Sequence, residues 1–193
     1  MCNDLPSSKC TAGATACRQL TSFNPRKDMS YWDYPLNGET EQNQWRSYLQ
    51  LQNIQVLKFA AAATECLAAN WEFANGGPIA WGDMSEANGA IPGTAVGQPG
   101  HPQGTHVGGR DIDIGYFQTG TPDNKLRPVC AHVSGGADQY HCLAEPQYLD
   151  PYRTALFVGV LLQTGTVRVI GMDGRVGPKV ATAMQDLCNG GWL

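Results

Sequence analysis

The sequence predicts an α+β domain in which helices enclose a small antiparallel sheet, with long Gly/Pro-rich loops between them. Three observations lead there. Apolar residues recur at helical spacing in three separate stretches, and Asp111–Phe117 alternates polar and apolar side chains as a half-buried strand does. Glycine (23) and proline (12) are also abundant among the 193 residues, well above the usual combined share of about 12%. Both residues interrupt helices, which excludes a long coiled coil or a pure helix bundle.

In chain order, residues 1–38 hold three cysteines, three prolines and the aromatic cluster Tyr31, Trp32 and Tyr34. They read as an irregular, disulfide-pinned arm wrapped on a domain spanning residues 39–193. From Glu39 to Trp71 neither proline nor glycine occurs, and Trp45, Leu49, Val56, Phe59, Ala60, Ala63 and Leu67 fall on one helical stripe. That stretch is predicted as one helix, and the turn signal Asn75-Gly76-Gly77-Pro78 closes the region after it. Residues 75–122 then hold 12 of the 23 glycines, and before Arg110 only two charges, Asp83 and Glu86. A long irregular stretch of this kind belongs to a domain when it lines a site.

Cys130 and Cys142 flank a turn signal with Gly136 midway, so a hairpin there would set the two sulfurs opposite each other, as a disulfide or as two buried thiols. A second helix is predicted at 151–163, burying Leu156, Phe157, Val160 and Leu161. A short strand is predicted next at Thr166–Met172, and a last helix at 177–188 carries Val180, Met184 and Leu187.

Charge and cysteine usage narrow the function. The net charge is −4, with no basic run, which argues against a nucleic-acid partner. No stretch reaches the roughly 20 apolar residues of a membrane span, and the first residues lack the apolar core of a signal peptide. Seven cysteines without a Cys-x-x-Cys pair fit an oxidising, secreted or periplasmic setting rather than a zinc ribbon. Their odd number leaves at least one outside any internal pair.

The chemistry concentrates in Gly100-His-Pro-Gln-Gly-Thr-His-Val-Gly-Gly-Arg-Asp-Ile-Asp-Ile114. On a strand, Asp111 and Asp113 share one face while Ile112 and Ile114 share the other. The paired glycines 108 and 109 allow the chain to turn so that His106 folds back toward a carboxylate. An imidazole beside a strand carboxylate is half of a catalytic zinc site, which uses three protein ligands and leaves a position for water. The same spacing also describes an ordinary hydrogen-bonded surface pair.

His106-Val-Gly-Gly109-Arg-Asp-Ile-Asp113 fits His-x-x-Gly-x-x-x-Asp and resembles the zinc signature of the lysostaphin/D-Ala-D-Ala metallopeptidase superfamily, closest to penicillin-insensitive murein endopeptidases. Gly82-Asp-Met-Ser85, the glycines at 89, 93 and 97, and Asp150-x-x-Arg153 before an apolar helix extend the likeness over roughly residues 71–193. The resemblance implies a sheet carrying one Zn2+, with His106 and Asp113 as metal ligands. Gly104 stands where the motif has serine, and Asp111 at its alanine position.

The candidate catalytic residues are His101, Asp83 and Arg110. His101 lies five residues before His106, where the family's extra histidine stands three before. Asp83 is a helix cap, a turn residue or a partner orienting His106, and the resemblance favours the last. Arg110 and Arg153 are candidates for gripping a substrate carboxylate, with an ion pair to Asp150 or Asp111 as the other role for Arg153. Trp81 and Tyr116 are read as groove floor or rim, or as core aromatics.

The family's third ligand is the second histidine of a His-x-His on a strand after the last helix, beyond Leu193 here. The expectation is therefore a fragment, or a second polypeptide completing the site. His132 and His141 can substitute only if the 130–142 hairpin reaches it. The implied function is hydrolysis of peptide bonds in peptidoglycan stem peptides or cross-bridges. A catalytically incomplete peptide- or cell-wall-binding module on the same scaffold is the alternative, and a disulfide-rich structural protein without a site is the third reading.

Overall fold

A computed structural model of the chain describes residues 2–23, 31–33, 47–71, 79–97, 99–120 and 127–193. Its elements are α1 (Ala14–Cys17), β1 (Leu20–Ser22), β2 (Tyr31–Asp33), β3 (Tyr48–Gln50), α2 (Leu51–Ala68), β4 (Ile79–Trp81), β5 (Val133–Ser134), β6 (Ala137–Asp138), α3 (Pro151–Gln163) and α4 (Val176–Asn189). The fold is α+β. Its strands pair two by two: β1 with β3 and β5 with β6 antiparallel, and β2 with β4 parallel.

Helices α2, α3 and α4 correspond to the three predicted ones, with one correction of bounds, and α1 is a single turn inside the arm that the sequence leaves irregular. Helix α3 begins where Asp150 caps it, accepting from the Arg153 amide at 3.0 Å, with Pro151 in the first helical position. Helix α4 buries Val176, Val180, Ala183 and Leu187, one face at helical spacing. The long predicted helix, by contrast, starts at Leu51. Tyr48–Gln50 is a strand in register with Leu20–Ser22, because strand partners outweigh helix propensity for three residues at the run's start. Residues 39–46, the 75–78 turn and Tyr34 lie outside the described residues.

The arm is tied down at several points. Cys2 is bonded to Cys66 on α2, Cys10 to Cys17, and β1 completes a ladder with β3. Of the two readings of Cys130 and Cys142, the structure has the disulfide, which spans the β5–β6 hairpin with its Gly135-Gly136 turn. Cys188 remains as a free, exposed thiol.

The predicted strand Thr166–Met172 does not form a ladder with any described segment. Val167, Ile170 and Met172 pack on the core, so side-chain burial rather than a strand ladder holds the segment. Helix α3 lies against both α2 and α4, and Leu49, Ala60, Trp81, Met84 and Leu156 are among the fully buried side chains of the core. Trp81 packs between Phe23 and Phe157, so it belongs to the core and not to a groove.

Candidate metal centre

The site is built on a buried ribbon, residues 79–86. The segment after the glycine-rich loop docks antiparallel on it. Gly82 donates its N–H to the Asp113 carbonyl at 2.7 Å, Asp113 to Asp83 at 2.9 Å, and Gly115 to Ala80 at 2.9 Å. The predicted alternation holds along this segment. Ile112 and Ile114 pack toward the core, while Asp111 and Asp113 stay exposed. These backbone bonds bring Asp83 and Asp113 to neighbouring positions.

Just before Asp111 the loop bends through left-handed residues. His106 has φ +53°, Gly108 +68° and Gly109 +65°. For the histidine this is a costly conformation, and costs of this kind gather at functional sites. It is held by a hydrogen bond from the His106 amide to Asp111 Oδ2 at 3.1 Å. Gly109 is also packed against backbone. A Cβ there would lie 2.5 Å from Leu20 Cδ2, 2.7 Å from Gln50 N and 2.8 Å from the Leu49 carbonyl carbon.

The bend turns His106 back over the ribbon, and its Nε2 lies 3.4 Å from Asp113 Oδ1. His101 stacks against it with ring centroids 4.1 Å apart. Nε2 of His101 is 2.7 Å from Asp83 Oδ2 and 4.0 Å from Asp113 Oδ2. Donor atoms of His101, His106 and Asp113 all lie within 4.8 Å of one another, the one such grouping of three among the described residues. A tetrahedral site with bonds near 2 Å sets its donors about 3.3 Å apart, the spacing the His106–Asp113 pair already has.

His106 is buried, and among the described residues its Nδ1 has no hydrogen-bond partner. Burial alone pushes its pKa down. The hydrogen bond and charge of Asp113, and then the charges of Asp111 and Asp83, outweigh burial and hold the imidazole above its ordinary value of 6.5.

The remaining expected residues take other places. Asp83 meets His101, not His106, and it is neither a helix cap nor a residue of an isolated turn. Arg110 is exposed and donates from Nε to the Val107 carbonyl at 3.1 Å. Together with Asp111, Asp113 and Tyr116 it lines a wide cleft of about 1390 Å³. Tyr116 accepts from the Asp173 amide at 2.9 Å, and burial raises its phenol pKa.

Arg153 is buried in a structural ion pair with Asp150 at 2.7 Å, over the Phe117 ring, and donates to the Gln118 carbonyl. His132 and His141 also line the cleft, but His132 contacts Asp138 at 3.1 Å and His141 donates to the Gln139 carbonyl at 2.6 Å. Neither belongs to the three-residue grouping.

The place of His101 as a third donor is not legible from spacing. The only signal is that it is the other histidine of the glycine-rich segment. Comparison of the chain with protein-family models, curated proteins and solved structures finds no match.

Proposed function

We propose that the chain is a zinc-dependent hydrolase that cleaves peptide bonds in peptidoglycan stem peptides or cross-bridges. The observation that carries this reading is the convergence of His101, His106 and Asp113. Two imidazoles and one carboxylate form a donor set that zinc takes in catalytic sites, and the 3.4 Å between His106 Nε2 and Asp113 Oδ1 suits two donors to one ion. His106 and Asp113 would hold the ion, with His101 as the third candidate.

Zinc supplies a Lewis acid for the scissile carbonyl and brings the pKa of a water down toward neutrality. The chain's own groups supply the rest. Asp113 and Asp111 present carboxylates to the cleft, Asp83 fixes the orientation of His101, and Arg110 offers a guanidinium for a substrate carboxylate at the rim. The peptidoglycan substrate rests on the resemblance of the His106–Asp113 motif. Three disulfides suit an oxidising compartment, from which we infer a secreted or periplasmic protein. Among the described residues no helix is long and apolar enough to cross a membrane.

One observation favours a second reading. His101 Nε2 is engaged by Asp83, which leaves His106 and Asp113 as the donors and describes a catalytically incomplete peptide- or cell-wall-binding module. Metal analysis and cleavage separate the two. The enzyme reading expects about one zinc per chain and release of new amine termini from purified muropeptides. His106→Ala and Asp113→Ala should each lose at least about 100-fold in cleavage, since even groups behind a ligand cost 10- to 100-fold. In His101→Ala, lost metal marks a ligand, and retained metal with lost cleavage marks a proton-transfer group. Equal cleavage by His106→Ala, or no zinc retained by the unmodified chain, sinks the enzyme reading.

A further inference from the structure

The loop carrying His106 is gripped from outside the site. The Gln50 amide donates to the Gly109 carbonyl at 2.9 Å, and Asn53 Nδ2 donates to the same oxygen at 3.0 Å. Gln50 Nε2 donates to the Gly108 carbonyl at 3.1 Å. Gln50 caps α2 and Asn53 lies in its first turn, where helix N–H groups and the helix dipole favour an oxygen. Gln50 is further fixed by its register opposite Leu20, whose side chain lies where a Cβ on Gly109 would go. None of these groups belongs to the three-donor grouping, and the two amide side chains carry no charge.

The contacts account for a conformation that the loop does not favour by itself. His106, Gly108 and Gly109 all have positive φ, and the histidine has no glycine-like freedom. Within the loop, Asp111 Oδ2 accepts from the His106 amide. Outside it, three hydrogen bonds from two residues hold the two glycine carbonyls. Released from them, the loop has every reason to relax toward negative φ at residue 106, which would swing the imidazole off Asp113.

We propose that Gln50 and Asn53 are positioning residues for the metal centre, fixing the bend that holds His106 against Asp113. The arm strand β1 thereby takes part in the site through Leu20 and the β1–β3 ladder. The inference rests on the metal reading above.

The test is Co2+ binding, monitored by the visible d–d spectrum of the intact chain. Removing partners behind a metal ligand weakens binding by about 10- to 100-fold. The Gln50→Ala/Asn53→Ala pair should fall in that range, with an altered d–d band at saturation. Gln50→Glu and Asn53→Asp remove the donors at nearly constant shape while adding negative charge, and the charge alone would tighten cation binding. Weaker Co2+ binding in these variants is therefore the signature of lost positioning.

Circular dichroism melting of the metal-free variants checks that the fold survives. If the alanine pair unfolds, the isosteric variants decide by the same criterion. Affinity within about threefold of the unmodified chain, well short of the range for a lost partner, with an unchanged spectrum, overturns the positioning role. An unmodified chain that binds no Co2+ overturns the metal reading itself, and this inference with it.

Discussion

Gly109 shows how a single residue can be required by both backbone angle and space. At φ +65° any side chain is strained, and the Cβ itself would meet backbone atoms of Leu49 and Gln50 below 3 Å. A left-handed residue costs about 1–2 kcal/mol and overpacking about 1–3 kcal/mol. Gly109→Ala should therefore destabilise the chain by about 2–5 kcal/mol in urea denaturation. A change below about 0.5 kcal/mol, the scale of a neutral surface substitution, would show that the loop moves away at little cost. The glycine's presence in the motif was visible in the sequence. Its neighbours were not, because Leu20, Leu49 and Gln50 are remote along the chain.

At the scale of elements, helix and turn chemistry was the more legible part. Asp150-Pro151 announced the start of α3, and two glycines between two cysteines announced the hairpin. The pairing of Tyr48–Gln50 with β1, and the lack of a ladder at 166–172 among the described residues, were hidden, since a strand depends on partners remote in sequence. Asp173, at the junction into α4, illustrates a local bond network with a pH consequence. Burial pushes its pKa up, but the N–H groups of Cys142, Arg175 and Val176 outweigh this and hold it below 3.8. A depressed carboxylate contributes stability that is fully present above its unfolded pKa and is lost as pH falls through the folded one. Asp173→Asn should therefore flatten the loss of stability below about pH 4, measured as the denaturation midpoint from about pH 6 to 2. An unchanged acid profile counts against this role.

The whole molecule is held at its ends by covalent and packed contacts. Cys2–Cys66 closes a loop with a sequence separation of 64 and anchors the arm to α2. Chain-entropy arithmetic for a loop of that size gives about 4 kcal/mol. The Cys2→Ser/Cys66→Ala pair should lose stability of that order, read from equilibrium denaturation with the other disulfides intact. A loss near zero would mean that the β1–β3 ladder and the core retain the arm unaided. At the other end, Leu193 packs where a Cβ on Gly159 would stand, and Trp192 meets Trp71 edge to face.

The sequence by itself determined what acts over short separations. The helices at 151–163 and near 177–188, the Cys130–Cys142 hairpin, the outward face of Asp111 and Asp113, and the bend at Gly108-Gly109 all arise from nearest-neighbour geometry and periodicity. Only the tertiary structure decided which side chains meet. It placed Asp83 on His101 rather than His106, gathered His101 with His106 and Asp113, removed Trp81 to the core, and set Gln50 and Asn53 against the loop. The physical reason is that backbone angles and hydrophobic period are written in adjacent residues. Contacts between distant segments emerge only when burial and hydrogen-bond satisfaction are settled for the chain as a whole.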